Sequence, residues 1–509
     1  MLHHQFIQTA KDYPDKLAII DCNVGRDISF KRALIGALIL ARRLAKLERG
    51  RIGIMLPTSS AAALSVIGAN MAELTPVMIN YSTGAEKNCL YAQRQCDFKT
   101  IVTTRGLLEK IDCPLLPDMV LIEDIMADLG ATEKALAFVK SKLPVPILRY
   151  LCGKNDPQAS AVILFTSGSE KDPKVVQLTH RNIESNINAF SEMMRISEFD
   201  SILSVLPYFH VFGLTVNLWT PLTHGMTSVA YANPLEFKTI TRIIMEKRPE
   251  IVVGTPFFLD GYLKQSKPGG FESLRLVVSG ADKCPASLRA GYQSKHGIEI
   301  VEGYGTTETS PVISANPREA NKPGSIGRPI PGTQVKIVNY DTGEECAVEE
   351  TGKIMVKGDG VMQGYLNDVE ESSLRLKGGW YDTGDLGYMD EDGYLWHQGR
   401  LKRFVKIGGE MVSLVNVEET LNEMTPVEIE CCAVELPDSK RGSKIVAVTT
   451  CAVDEQETLR KLAKELPNLA LPKKFVVVPE FPRMGSGKTD FRSLTRIVIE
   501  QDRQKNSEQ

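Results

Sequence analysis

The stretch from Leu274 to Val301 constrains the fold most. "LRLVV" (Leu274–Val278) is a short apolar run bounded by turn residues, and "SGADKC" is a loop. Pro285 suits the start of a helix through "ASLRAGYQSKH", and "IEIV" is the next apolar run. Strand, loop, helix and strand in this spacing form a βαβ unit, which demands a parallel sheet. Ligands of open parallel sheets lie beyond the carboxyl ends of the strands, so the chemistry is expected in loops that follow strands. The expected class is α/β, and 509 residues are too many for a single core.

Hydrophobic content of 43% and charged content of 24% are ordinary for a water-soluble globular chain. A net charge of −3 argues against general nucleic-acid binding. "MLHHQFIQTAKDYPDK" has no apolar segment of signal-peptide length, and the longest aliphatic run, Ala33–Ala41, is far short of a membrane span. The ten cysteines are scattered without a C-x-x-C pair, which suits a reducing compartment and argues against a zinc or disulfide framework. The expected location is cytoplasmic.

Near residue 400 the texture changes. "DEDGYLWHQGRLKRFVKIGGEMVSL" reads as a hairpin followed by a charge cluster and paired glycines. After it come a helix ("NVEETLNEM"), strands ("KIVAVTT", "KFVVV") and a further helix ("EQETLRKLAKEL"). The expected organisation is a large N-terminal domain with parallel-sheet layers over 1–399, a hinge at 400–402 and a small mobile α+β domain over 403–509.

Residues 165–180, "FTSGSEKDPKVVQLTH", follow the apolar run Ala161–Phe165. Backbone N–H groups, the hydroxyls of Thr166, Ser167 and Ser169, the small Gly168 and the cation of Lys174 together suit an anion. An ordinary turn has the same composition, so the loop alone leaves both readings open. "MGSGKTD" (Met484–Asp490) imitates the tail of a Walker A loop. That motif needs a glycine six residues before its lysine, and here the position is Pro482.

Four more stretches occur in order: "EGYGTTETSP" (Glu302–Pro311), "WYDTGDLG" (Trp380–Gly387), "GRLKRFVKIGG" (Gly399–Gly409) and "PRMGSGKTD" (Pro482–Asp490). With the first loop, this set resembles the ordered motifs of the adenylate-forming (AMP-binding) superfamily. That superfamily holds acyl-CoA synthetases, luciferases and nonribosomal peptide synthetase adenylation domains. "KPGSIGRPIPG", "GRLKRFVKIGGEMVSLVNVEE" and "GSGKTDF" are similar to bacterial long-chain acyl-[acyl-carrier-protein] synthetases. The same activity is half of a bifunctional 2-acylglycerophosphoethanolamine acyltransferase. The His-x4-Asp pair of the acyltransferase half is absent from this chain, since none of its seven histidines has an aspartate five positions on.

The resemblance implies ATP-dependent activation of a long-chain fatty acid to acyl-AMP, then transfer to a thiol, with ATP and Mg²⁺ required. Two like unit charges about 4 Å apart repel by roughly 4 kcal/mol at an effective dielectric of 20, so cations must sit between carboxylate and triphosphate. By resemblance, Lys488 bridges the carboxylate and the α-phosphate, Glu308 and Thr166 hold Mg²⁺, and Thr307 meets the α-phosphate. Thr166, Ser167, Gly168, Ser169 and Lys174 hold the outer phosphates. Tyr304 stacks on adenine, with Gly280, Ala281 and Gly305 along the pocket. Asp385 accepts the ribose hydroxyls with help from Arg400, and Lys402 is the hinge about which the small domain turns between half-reactions. The family usually has glycine where this chain has Lys171 and Val175, and Lys171 is expected to compensate as an extra cation.

Residues 201–235 contain no Asp, Glu, Lys or Arg. An amino-acid substrate would need an acidic partner for its ammonium there, so the segment favours an alkyl acid in an apolar tunnel. His210 and Trp219 are its candidate gate. The expected acceptor is acyl carrier protein, with CoA as the alternative. Residues 400–509 carry 18 Lys+Arg and 17 Asp+Glu, a balance of +1 that does not choose between them. The clusters Lys402/Arg403/Lys406, Lys440/Arg441/Lys444 and Lys473/Lys474 are candidate docks for an acidic carrier. Peripheral association with the inner face of a membrane is compatible with a lipid-soluble substrate.

Overall fold

A computed structural model describes residues 1–509 except 154–155, 167–172, 408–409, 427–428, 439–441, 486 and 508–509. Its contacts divide the chain into two compact units. One holds most of the chain up to Gln334 together with Lys357–Tyr381; the other holds Val335–Val356 and Asp382–Gln509.

The large unit contains two sheets. In the nine-stranded sheet, six strands run parallel in the order Ile300–Gly305, Leu276–Ser279, Ile251–Gly254, Ser201–Ser204, Thr227–Ala230 and Leu17–Asp21. Antiparallel strands close both of its edges. The βαβ unit read from the sequence lies here, with its helix at Ala286–His296 and Pro285 as N-cap. In the six-stranded sheet the order is Met119–Leu121, Ile101–Thr103, Arg51–Ile54, Thr75–Met78, Ser160–Phe165 and Val175–Thr179, and only the last strand is antiparallel. Runs such as "IVVG" and "VILF" are apolar throughout because both faces of a parallel sheet are covered.

The helix Ser60–Met71 is buried from Ala62 to Met71 and packs against Phe30–Leu44. A Cβ on its Gly68 would stand 2.9 Å from the Leu40 Cβ and 3.0 Å from the Ala41 nitrogen, so only glycine permits this approach. Two further helices, Ala131–Lys142 and Val145–Leu151, lie over Phe30–Leu44 and over the first helix, Leu2–Asp12.

In the small unit, residues 335–338, 352–356 and 382–389 belong to the strands Gln334–Val338, Gly352–Lys357 and Trp380–Met389, and the last of these pairs with Leu395–Arg400. The unit also contains the α+β region expected from the sequence. There Cys431–Asp438 pairs with Gly442–Thr449, which runs parallel to Lys474–Val477, around the helices Leu414–Met424, Glu455–Leu462 and Phe491–Ser507. The contact division therefore starts this unit earlier than residue 403, by grouping the hairpin sheet with it. All ten cysteines are free thiols and only Cys451 is exposed.

Candidate active site

The "EGYGTTETSP" motif does not follow a strand, as expected; it ends one. Glu302 to Gly305 complete the strand Ile300–Gly305 and pair backwards with Val312–Ala315. A Cβ on Gly305 would lie 1.8 Å from the Pro311 carbonyl oxygen, so the hairpin closes only with glycine there. Thr306 then caps a single 3₁₀ turn, Thr307–Thr309, through paired bonds with Thr309. That turn points Glu308 inward, 8% exposed. Glu302 is structural: Arg289 (3.0 Å) and the Gly324 N–H (2.8 Å) bind its carboxylate, while burial pushes its pKa up.

Glu308 is held by side chains from elsewhere in the same unit. The Tyr365 hydroxyl donates to its Oε1 at 2.8 Å, and the Met362 N–H donates to its main-chain carbonyl at 2.8 Å. Tyr381, also buried, donates to the Tyr365 oxygen, so two phenols form a ladder ending on the carboxylate. Burial first, and the Glu308 charge second, push the pKa of both phenols well up and keep them protonated as donors. This arrangement engages one carboxylate oxygen with a neutral donor and suits a hard divalent cation.

Lys174 enters the same cluster from the other sheet. Its ammonium lies 4.8 Å from the centre of the Tyr365 ring and forms an ion pair with Glu371, which Arg375 also contacts at 3.2 Å. The Lys174 ammonium, with Arg375 behind it, holds the Glu371 carboxyl below its ordinary range. Thr166 and Lys174 close the base of the first loop: the Thr166 N–H donates to the Lys174 carbonyl (3.0 Å), and the Lys174 N–H to the Thr166 hydroxyl (3.1 Å). Ser167, Gly168, Ser169 and Lys171 lie outside the described residues. Val175 is buried and pairs with Phe165, so a core position accounts for valine there. The two motif loops thus belong to strands of different sheets, and Tyr365 joins them.

Gly280 and Ala281 follow the strand Leu276–Ser279, where Ala281 has φ +70°. A Cβ on Gly280 would sit 3.3 Å from the Phe212 ring and 3.5 Å from the Gly303 carbonyl oxygen. Tyr304 and Thr307 are half-buried on either side of Gly305. The uncharged segment 201–235 holds the π-helix Gly213–Trp219, a form frequent at functional sites. Trp219 is fully buried and its indole N–H meets no acceptor, whereas His210 is half-buried with its ring 4.6 Å from that of Phe209.

In the small unit, Asp385 is 2% exposed and pairs across the hairpin with Arg400, Nε to Oδ1 3.2 Å. Lys488 is half-buried on a turn where the Met484 N–H donates to the Lys488 carbonyl at 2.8 Å, Arg483 bridges Thr489, and the Arg483 guanidinium pairs with Glu430 at 2.6 Å. Lys402 lies in the 3₁₀ turn Leu401–Arg403. Arg403 is no exposed docking charge, contrary to expectation. It bonds Glu418, lies 3.9 Å from the Phe491 ring centre and is 17% exposed; Glu418 also accepts from the Ala433 N–H at 2.8 Å and the Cys432 thiol at 3.0 Å. Lys440 and Arg441 lie outside the described residues.

Tyr365, Tyr381 and Glu371 were not among the residues expected at the site. Tyr381 stands inside "WYDTGDLG" and was legible as a motif position, but nothing in "QGYLNDVEES" marks Tyr365 or Glu371.

Comparison with known proteins matches residues 6–366 to the AMP-binding enzyme family and 416–488 to the AMP-binding enzyme C-terminal domain. A long-chain-fatty-acid–CoA ligase of Bacillus subtilis is 31% identical, covering 97% of this chain and 93% of its own. A protein of the same description from Haemophilus influenzae is 27% identical over 98% and 94%. Among solved structures, ATP-bound MatB of Rhodopseudomonas palustris superposes with a TM-score of 0.83 at 24% identity, covering 97% and 98% of the two chains.

Proposed function

The chain belongs to the AMP-binding enzyme family, and from that premise we propose that it uses ATP to activate a long-chain fatty acid and then forms its thioester with coenzyme A. The carrying observation is the cluster in which Tyr365 links a buried carboxylate, Glu308, to a lysine, Lys174. A hard-cation site beside a fixed ammonium fits a polyphosphate. ATP as co-substrate is supported by the family itself and by the ATP-bound neighbour. The two ligases described above support a long alkyl acid and CoA, as does the uncharged segment 201–235.

In the first half-reaction a carboxylate oxygen attacks the α-phosphorus and the bond to pyrophosphate breaks. Glu308 with Thr166 would hold Mg²⁺, which when bound would neutralise phosphate charge. Thr166, Ser167, Gly168, Ser169 and Lys174 bind the outer phosphates, Thr307 binds the α-phosphate, and Lys488 offsets the charge where carboxylate and phosphate meet. Tyr304 stacks on adenine beside Gly280, Ala281 and Gly305, while Asp385 and Arg400 take the ribose. His210 and Trp219 border the acyl chain. In the second half-reaction the thiol sulfur attacks the acyl carbon and the bond to AMP breaks. Lys402 is the pivot between the two steps, in keeping with its place between the matched segments that end at 366 and begin at 416.

The motif likeness to carrier-protein synthetases supports a second reading, with the thiol of acyl carrier protein as acceptor. The CoA ligases among the relatives weigh against it. The decisive experiment is fatty-acid-dependent ATP–pyrophosphate exchange by the full chain, then product analysis with CoA and carrier protein offered together. Exchange with long-chain acids and a CoA thioester are expected. No exchange with any fatty acid overturns the proposal, and a predominant carrier thioester establishes the second reading.

A further inference from the structure

Eighteen large apolar side chains are exposed among the described residues, and six of them fall within sixteen residues. They are Leu136 (53%), Phe138 (46%) and Val139 (60%) on the helix Ala131–Lys142, and Ile147 (46%), Tyr150 (85%) and Leu151 (47%) on Val145–Leu151. Isolated exposed apolar residues need no explanation, but a third of a chain's total gathered on two consecutive helices does. Both helices anchor inward by other residues. Ala137 and Ser141 bury the first helix and Leu148 buries the second. Because an α-helix turns about 100° per residue, Leu136 and Val139 face away from Ala137 and Ser141, and Phe138 lies on the flank between. A bond from the Lys140 ammonium to the Leu151 carbonyl, 3.4 Å, ties the end of the second helix to the first.

The charge of the patch selects its partner. Residues 131–151 contain Lys134, Lys140, Lys142 and Arg149 against one acid, Glu133, so four minus one gives +3 in a chain whose total is −3. Glu133 is turned to the core side and committed to Arg43. The Lys142 ammonium lies 5.4 Å from the centre of the Phe138 ring, so one cation rides beside an apolar face, as side chains do where hydrocarbon meets head groups. The helices, of 12 and 7 residues, are too short to span a bilayer, and no helix among the described residues is long and apolar enough to do so.

We propose that the helix pair 131–151 docks the protein onto an anionic phospholipid surface, with Phe138, Val139 and Tyr150 entering the interface and Lys142 beside them meeting lipid phosphate. A protein partner would more often meet an apolar core with a mixed-charge rim, whereas aromatic and aliphatic tips in a segment of net positive charge fit a lipid interface. The proposal rests on the long-chain reading of the active site, because such a substrate partitions into bilayers.

The test is co-sedimentation of the full chain with vesicles of phosphatidylcholine alone and with roughly one-third phosphatidylglycerol, in the absence of ATP and fatty acid. The wild type is expected to bind the anionic vesicles and to be released by salt. The variant F138S/V139S/Y150S should lose at least about tenfold in partitioning, and K142E should lose about fivefold on anionic vesicles only. Pyrophosphate exchange with a water-soluble acyl substrate should be unchanged in both variants, which separates this docking from the catalytic reading. Equal partitioning of wild type and both variants overturns the proposal. So does a patch variant that changes the oligomeric state in analytical ultracentrifugation without changing vesicle binding, which would make the face an interface between copies.

Discussion

Glu308, in the large unit, is gripped from outside its own turn: a tyrosine 57 residues away donates to its carboxylate, and a second tyrosine donates to the first. Lys488, in the small unit, stands on a turn closed by backbone bonds within Pro482–Asp490 and tied outward by the Arg483 guanidinium to Glu430 at 2.6 Å. The same contrast holds for Lys174, fixed between Glu371 and the Tyr365 ring, and for Asp385, fixed by its hairpin partner Arg400. A charge that must accept a cation in one geometry is supported from several directions. The large unit thus grips the Glu308 carboxylate directly, whereas in the small unit the distant bond, from Arg483 to Glu430, holds the turn that carries Lys488.

The sharpest way to break this comparison is Lys488→Ala. Adenylate formation should fall on the order of a hundred to a thousandfold, while thioester formation from supplied acyl-adenylate changes little. An equal loss in both assays would place Lys488 in a common frame with Glu308. Tyr365→Phe keeps the ring beneath Lys174 and removes only the hydroxyl, so kcat should drop about tenfold and the Mg²⁺ concentration for half-maximal rate should rise. An unchanged Mg²⁺ requirement would show that the phenol ladder packs without orienting the carboxylate. Glu371→Gln releases Lys174 from its ion pair, and the KM for ATP should fall about threefold. A higher KM would mean that Glu371 aims the lysine.

Regular elements were legible because their periods are local. The strand at Ala161–Phe165 and the first strand and helix of the βαβ unit after Leu274 stand within a residue or two of the positions read from apolar runs and the proline, while its second strand runs on past Val301 to Gly305. The helix read through Leu466 ends at Leu462, where the chain turns ahead of Pro467. What could not be read depended on distant pairing. The motif beginning at Glu302 looks like a loop until Val312–Ala315 folds back on it. Tyr365 carries no local signal and gains its role only by bridging Val176 and meeting Glu308. Arg403 looked like part of a solvated basic cluster because nothing near it in sequence announces Glu418 or Phe491 beneath it. The apolar tips at 136–151 escaped for the opposite reason: they look like core, and only the helix packing shows them facing out.

The distribution of thiols gives the small unit its own label. Nine of the ten cysteines are buried or partly covered, and Cys432, raised by burial and bonded to Glu418, is a poor nucleophile at neutral pH. Cys451 alone stands open, just past the strand Gly442–Thr449. A maleimide dye or nitroxide added to the unaltered protein should therefore label that place ahead of the partly covered Cys22, Cys113 and Cys346, so the swing proposed for the pivot can be watched after brief labelling without engineering a site.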